Sequence, residues 1–470
     1  MNFLSLVISQ HLSKYVAAFL IAGGCAAPAA QTDGDYTLQV IHIFQFGTGI
    51  SLVSASDGGF YGTTSGFFDG LNSISLPGSV FRATASGSFT TLVSFEGESD
   101  RGTDPDGLVE AKDGKLYGFT IFGRNGNGSL FQIARDGGFK ELFVFSGTNG
   151  ARPYGRLLLA SDGNLYGTTL SGGLNNQGTV FRIGTTGDGF TNLYNFTGRS
   201  DGYQALGGLV ETAGGVICGS TSAGGTGGGG TVAGGTIFKL THAGEFITLF
   251  QLNETTGYGF VYFTLAKDGG VYGTAAQGGE QDRGTVFSIS SDSNLVVLAS
   301  FKDGNGTFPR GLVEAGDGSF YGATYGSFFG STAQAGDLSN GTLFKFTRGA
   351  GLTTLAVFNG TNGAQPNRQV ALGTDGNVYG VTSAGGQFGK GTLFRLVQTP
   401  KLSASTQANG AVSFRWNSFP GAQYRLEYKN RLIKDPWQHL AEITATGNLS
   451  TFTNSLPNAA QGYFRLVLLP

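Results

Sequence analysis

The chain repeats itself seven times. A short apolar run ending in an aromatic and a glycine recurs at Gly59-Phe60-Tyr61-Gly62, Lys115-Leu116-Tyr117-Gly118, Asn164-Leu165-Tyr166-Gly167, Val216-Ile217-Cys218-Gly219, Gly270-Val271-Tyr272-Gly273, Ser319-Phe320-Tyr321-Gly322 and Asn377-Val378-Tyr379-Gly380. The copies are 49 to 58 residues apart, and only Cys218 departs from tyrosine. A second run, Gly-Thr/Ser-aliphatic-Phe, follows each copy and ends at Phe81, Phe131, Phe181, Phe238, Phe287, Phe344 and Phe394. A third has the form of Leu92-Val93-Ser94-Phe95 or Leu193-Tyr194-Asn195-Phe196, and degrades once, to Leu249-Phe250-Gln251-Leu252. A fourth, such as Gly107-Leu108-Val109-Glu110-Ala111, precedes each Tyr-Gly run. Self-similarity at this period means that each unit is one supersecondary element, which buries its apolar surface only by stacking on its neighbours.

The runs are four to six residues long, rich in aromatic and β-branched types and bounded by glycine, so they read as strands. Asp-Gly pairs at Asp57-Gly58, Asp113-Gly114, Asp162-Gly163, Asp268-Gly269, Asp317-Gly318 and Asp375-Gly376 join the fourth run to the Tyr-Gly run. Asp-Gly suits a type I′ hairpin turn, in which both central residues take positive φ. Four antiparallel strands in each of seven units predict an all-β, seven-bladed β-propeller. Val40-Ile41-His42-Ile43-Phe44-Gln45-Phe46 has the character of the run missing after Leu396, so the N-terminal strand is expected to complete the last blade and close the ring. A β-solenoid, with coils of roughly 20–30 residues, fits the period less well. Glycine numbers 82 of 470 residues. Its expected work is to let backbones approach after each Tyr, while the repeated Phe fills the space between blades.

These motifs resemble the GloVer (Gloeo/Verruco) tandem repeats of bacteria, whose LYGTT…GG…GTVF pattern reads here as Leu165-Tyr166-Gly167-Thr168-Thr169, Gly172-Gly173 and Gly178-Thr179-Val180-Phe181. The resemblance covers about residues 38–397. It implies an exported repeat protein anchored in various ways at its ends, and it carries over no reaction and no catalytic residue.

The ends read differently. Residues 1–30 resemble an export signal, with Lys14 ahead of the apolar run Tyr15–Ala22 and small residues around Ala27-Pro28-Ala29. That run is too short to span a membrane. Ala22-Gly23-Gly24-Cys25 resembles a lipobox, which makes Cys25 a lipidation candidate; the alternative is a small residue within the signal. The repeats occupy 31–398. From 399 to 470 glycine thins and both tryptophans appear, Trp416 and Trp437. Val412-Ser413-Phe414-Arg415-Trp416 and Tyr424-Arg425-Leu426-Glu427-Tyr428 alternate as half-buried strands. This part resembles a short fibronectin type III-like, sandwich-like module.

Chemistry is sparse. Charged residues make up 13% and the net charge is −2, so phosphate contacts to nucleic acid are not expected. Four histidines, without ligand spacing, offer no metal site. Asp100, Asp104 and Asp106 share one loop and are weak calcium candidates, against the alternative of an acidic surface turn. Gly198-Arg199-Ser200-Asp201-Gly202 matches the nucleophile-elbow pattern without the strand-to-helix context it needs. Longer segments at 65–77, 220–234 and 323–340 carry Phe67, Phe68, Tyr325, Phe328 and Phe329. Such aromatics either stack on a ligand at the rim or cap the blade ends. The expectation is an exported, monomeric, non-catalytic scaffold that binds a polysaccharide or a cell-envelope protein, without a cofactor. The alternative is a polysaccharide-acting hydrolase or lyase with acids in the propeller mouth.

Overall fold

The computed structural model describes residues 4–9, 36–69, 74–76, 78–95, 102–123, 125–225, 234–326, 338–406, 411–418, 423–429, 435–446, 449–454 and 461–469. Among them there is no α-helix, and none long and apolar enough to cross a membrane. The chain divides into two compact units.

The larger unit is propeller-like. Each repeat folds into one four-stranded antiparallel sheet in chain order, as in Ala151–Leu159, Asn164–Ser171, Thr179–Gly184 and Thr191–Asn195. Seven such sheets lie among the described residues; in the seventh, Ala364–Leu372, Val378–Ala384 and Thr392–Gln398 are joined by Tyr36–Ile43. Phe44 just beyond that strand donates its backbone N–H to the Gly391 carbonyl at 3.1 Å. The middle strands are buried on both faces, as in Val271–Gln277, and the outer ones alternate with solvent, as in Leu295–Ser300.

The repeated glycine and phenylalanine explain each other. They face one another across adjacent strands, as Gly62↔Phe81, Gly118↔Phe131, Gly167↔Phe181, Gly219↔Phe238, Gly273↔Phe287 and Gly322↔Phe344. A Cβ at Gly167 would stand 2.5 Å from the Phe181 ring tip. The glycine after Tyr therefore leaves room for a ring of its own sheet, where the sequence suggested a neighbouring backbone. Backbone approach between sheets occurs instead at the glycine before Thr/Ser. A Cβ at Gly78, Gly128, Gly284 or Gly341 would meet Pro105, Pro153, Pro309 or Pro366 of the next sheet's first strand at 2.5–2.7 Å.

The phenylalanines also reach the next sheet. Phe181, fully buried, packs with Leu165 and Ile183 of its own sheet and with Tyr117, Phe119 and Leu130 of the sheet before. Comparable clusters join the first sheet to the second, the third to the fourth, the fourth to the fifth and the fifth to the sixth. Phe358 and Phe394 meet at 5.1 Å between the sixth and seventh. Leu52, Phe60 and Phe81 of the first sheet pack with Tyr379, Val381 and Leu393 of the seventh.

Buried threonines are satisfied in pairs. Thr169 and Thr179 hydroxyls lie 2.9 Å apart, and the Thr179 N–H donates to Thr169 Oγ1. The same pairing recurs at Thr221–Thr236, Thr324–Thr342 and Thr382–Thr392. This accounts for the second Thr of Tyr-Gly-Thr-Thr, because a buried hydroxyl needs a partner.

The Asp-Gly turns differ from expectation. Gly58 has φ +76° but Asp57 is not in the left-handed region. The Gly58 N–H donates to the Ala55 carbonyl and the Ala55 N–H to the Gly59 carbonyl. This is a type I turn followed by a left-handed glycine, the three-residue hairpin loop, and not type I′. The aspartate holds both ends: Asp162 Oδ1 accepts the Asn164 N–H at 3.0 Å and Oδ2 accepts the Tyr166 hydroxyl at 2.8 Å. Tyr61–Asp57 and Tyr117–Asp113 repeat the bond. The fourth unit has neither the Asp nor the Tyr.

The smaller unit includes two sheets, built from the C-terminal part of the chain together with Leu4–Ser9. Ser403–Thr406, Val412–Asn417 and Leu449–Asn454 form one, and Leu4–Ser9, Gln461–Leu468, Gln423–Lys429 and Gln438–Thr444 form the other. Phe414, Trp416, Tyr424, Leu426 and Phe464 fill one core between them.

Two outcomes follow from this packing. Phe181→Ala lowers stability by about 3–5 kcal/mol, and Gly167→Ala lowers it by about 1–3 kcal/mol through overpacking. In urea unfolding the double variant loses less than the sum, because removing the ring clears the space for the new methyl. The second outcome concerns acid. Burial raises the pKa of Asp57, Asp162, Asp201 and Asp317, but hydrogen bonds and neighbouring cations outweigh it and hold all four below 3.8. Their stabilisation is therefore complete above the unfolded value and is lost as pH falls through the lower folded values. Circular dichroism in fixed urea should show a loss that begins below about pH 5 and is smaller in Asp201→Asn.

Candidate functional site

The first strands of different sheets meet one another. At their meeting point, side chains from sheets that are not sequential neighbours touch. Arg368 of the seventh sheet pairs with Asp106 of the second, Nη2 to Oδ2 at 2.5 Å, and its guanidinium lies 4.3 Å from the Tyr154 ring centre of the third. Arg156 Nη1 of the third sheet donates to Gln369 Oε1 of the seventh at 3.4 Å. Gln369 Nε2 donates to the Leu312 carbonyl of the sixth sheet and to Thr264 Oγ1 of the fifth at 3.2 Å. Arg310 of the sixth donates Nη1 to the Tyr262 hydroxyl of the fifth at 2.8 Å.

The local backbone shows why these residues stand here. A recurring segment opens each of four first strands: Gly102-Thr103-Asp104-Pro105-Asp106-Gly107, Gly150-Ala151-Arg152-Pro153-Tyr154-Gly155, Gly306-Thr307-Phe308-Pro309-Arg310-Gly311 and Gly363-Ala364-Gln365-Pro366-Asn367-Arg368. The residue before each proline is left-handed, with φ of 54° to 56° at Asp104, Arg152, Phe308 and Gln365. At Arg152, Phe308 and Gln365 the N–H bonds a carbonyl of the preceding unit, as Arg152 to Asn127 at 2.7 Å. Gly107 and Gly155 are left-handed too, and at the matching position Arg368 holds φ +57°. A non-glycine residue there is strained by about 1–2 kcal/mol.

Electrostatics single out the arginines. Burial lowers the Arg368 pKa, but the Asp106 carboxylate more than reverses this and holds it above its ordinary value. Burial lowers the Arg156 pKa, and no carboxylate offsets it. Arg156 is nevertheless exposed to solvent. It is desolvated by the protein around it yet still reached by water. Arg310 is 7% exposed and lies against Phe260, Tyr262 and Tyr325, whose ring centres are 5.5, 5.9 and 4.5 Å from its guanidinium carbon.

The residues singled out from sequence are placed as follows. Tyr325 sits on Arg310, and its hydroxyl donates to Gln365 Oε1 at 3.2 Å. Asp106 is engaged by Arg368. Asp104 Oδ1 accepts the Gly66 N–H at 3.0 Å, beside the small hairpin that pairs Phe67 with Leu76 and Phe68 with Ser75. Burial and then Asp106 raise the Asp104 pKa, against that hydrogen bond. Asp104 and Asp106 are thus each bonded within the protein, and no group of three metal-binding side chains occurs among the described residues. Asp100, Phe328, Phe329 and Cys25 lie outside the described residues. In the elbow-like segment, Asp201 is a turn post, accepting from the Thr197 N–H and hydroxyl and the Tyr194 hydroxyl. Buried Cys218 has its thiol pKa pushed up to about 11, chiefly by desolvation. His242 Nε2 lies 3.0 Å from Glu211, and His42 stacks on Phe89 at 3.9 Å.

Sequence reasoning missed Arg156, Arg310, Arg368, Gln369, Tyr154 and Tyr262. The signal was available: aligning the first strands on their prolines exposes a position that changes from Asp106 to Tyr154, Arg310 and Asn367 while its surroundings stay fixed. The Arg368–Asp106 pair gives a direct check. Arg368→Gly relieves the left-handed strain but strands a buried carboxylate, so stability falls by about 3–5 kcal/mol. Adding Asp106→Asn should recover most of that loss in urea unfolding.

No curated protein is similar to the chain in sequence. Among solved structures, a luciferin-regenerating enzyme aligns with TM-score 0.41 and 11% identity, over 64% of this chain and 94% of that one. A putative gluconolactonase aligns with TM-score 0.39 and 11% identity, over 64% and 90%. A puromycin hydrolase aligns with TM-score 0.48 and 10% identity, over 79% and 59%. At this similarity their activities do not transfer. The sequence of the sheets themselves is more specific: residues 30–233 match the model of the Gloeobacter/Verrucomicrobia repeat.

Proposed function

We propose that the seven sheets close into a seven-bladed propeller completed by the strand Tyr36–Ile43, and that the protein is an exported, non-catalytic binding scaffold. Closure is supported by the packing of the seventh sheet on the first. Export is supported by the apolar run Tyr15–Ala22 and the small residues around Ala27-Pro28-Ala29, which have the form of a signal; its cleavage takes away the strand Leu4–Ser9 that pairs with Gln461–Leu468. The two sheets around Trp416 suit a fibronectin type III-like module, a spacer or adhesive element.

One observation carries the binding reading. Where the first strands meet, three arginines are linked through shared neighbours, Arg156 through Gln369 beside Arg368 and Arg310 through Tyr262, and the one carboxylate bonded there, Asp106, is held by Arg368. Hydrolysis or elimination at a sugar needs a free base and an acid set against each other. Nothing in this cluster supplies that pair.

The test is a two-part assay of the purified protein with a panel of insoluble polysaccharides and with cell-envelope extract. Co-sedimentation reads binding; release of reducing ends and absorbance of unsaturated sugars read cleavage. Retention on one class without cleavage is the expected result. Cleavage that survives further purification would replace this reading with that of a hydrolase or lyase. Fractionation of cells should place the protein outside the cytoplasm, and the mass of its mature N-terminus reports whether Cys25 is lipidated.

A further inference from the structure

The central cluster has more donors than the fold uses. Arg368 gives Nη2 to Asp106, and its Nη1 is buried with no partner. Arg310 gives Nη1 to Tyr262, and its Nε is likewise buried and unpartnered. Arg156 makes one long bond, to Gln369, and keeps the rest of its fork open to solvent. The carboxylate that meets this cluster is Asp106, already bonded to Arg368; Asp104, two residues before it, turns to the Gly66 N–H of the first sheet instead. Buried donors without acceptors are rare in a finished structure and call for an explanation.

Packing does not supply one. Glycine stands where Arg368 does in three other units, as Gly107, Gly155 and Gly311, the first two left-handed, so the propeller needs no side chain at that position. Arg368 is kept despite its left-handed backbone, and strain of this kind gathers at binding sites. A planar fork is the side chain suited to an oxyanion with two or three equivalent oxygens. Tyr154 and Tyr262 flank the forks, with Tyr262 close enough to Arg368 to act on its charge.

We propose that Arg156, Arg310 and Arg368 form an oxyanion-binding site at the meeting point of the first strands, taking a carboxylate, sulfate or phosphate group. Arg156 makes the first contact, and the inner two arginines present their spare N–H groups behind it. The site rests on the binding-scaffold reading and gives it a ligand class: an anionic sugar residue, or a free inorganic anion of the same chemistry.

Calorimetric titration of the full chain tests this with four probes: tetragalacturonate, its methyl ester, inorganic sulfate and inorganic phosphate. The expected result is that the sugar acid binds and its neutral ester binds at least about tenfold more weakly, the loss of one charge-assisted contact. Arg156→Gln should weaken the acid by a similar factor without changing the melting temperature of the unliganded protein, since Arg156 is exposed and makes one long bond. Arg156→Lys, which keeps the charge and loses the fork, should fall between. Asp106→Asn should tighten binding by freeing Arg368, the opposite of a merely structural role. If sulfate or phosphate binds, with the same sensitivity to Arg156→Gln, and the sugar acid does not, the site stands and its ligand is the free anion. Binding of none of the three anions overturns the proposal, as does equal binding by wild type and Arg156→Gln. Either failure leaves the co-sedimentation result untouched, so the scaffold reading is judged separately.

Discussion

The fold depends on one cross-strand pair repeated through the sheets: a phenylalanine ring lying on a glycine. A ring over a bare backbone puts aromatic volume flush against the sheet, so the sheet can stack closely on the next one. Glycine in a strand is otherwise destabilising, because it loses the most entropy and packs nothing. Here the ring covers that gap, and the same ring then joins the cluster that binds two sheets together, as Phe181 does with Phe119 and Leu130. Local sheet geometry and long-range stacking therefore hang on the same pair of residues, which is why the two motifs recur together.

Around that apolar frame the polar groups follow repeated rules. Threonine hydroxyls satisfy each other across strands, and turn aspartates hold their own loop and the tyrosine four residues on. A further rule runs at twice the period. Glu110, Glu211 and Glu314, in the second, fourth and sixth units, accept the backbone N–H of Ser56, Ser161 and Lys267 in the unit before. Each meets a nitrogen-bearing side chain of its own unit: Arg135 at 2.5 Å, His242 at 3.0 Å or Arg348 at 3.8 Å. The glutamate thus clips alternate interfaces, and the apolar clusters serve every interface. His242, which looks like a stray histidine in the sequence, stands in that clip where the other two units have arginine.

Repetition decides what can be read from sequence. Strand order, sheet membership and the burial of Phe181 were legible, because each was written seven times over and periodicity averages out local noise. The turn type was not, because Asp-Gly serves both type I′ and the type I turn with a left-handed glycine; the ladder register of the flanking strands chooses between them. The purpose of the Tyr-Gly glycine was half legible: a close approach was evident, and its partner was not, since cross-strand register is invisible in one dimension. The central cluster was legible only in part. Arg310 and Arg368 stand at the variable positions of the recurring proline segment, which marks them as departures; that they and Arg156 meet is not written there, because only the packing of the sheets brings together residues from the third, sixth and seventh units.

That last point separates structure from function in this chain. A position that obeys the repeat is explained by stacking, and substitution there is a question of stability. A position that breaks the repeat without damaging the stack calls for another cause. Cys218 breaks it, but the Asp-Gly turn it would serve is missing from the same unit, so the departure closes on itself. Arg368 does not close on itself: it takes a left-handed backbone that two other units give to glycine, spends one nitrogen on Asp106 and leaves another buried without an acceptor. A scaffold needs neither the strain nor the spare donor. Both are accounted for if the centre is shaped for a group that arrives from solvent with oxygens of its own.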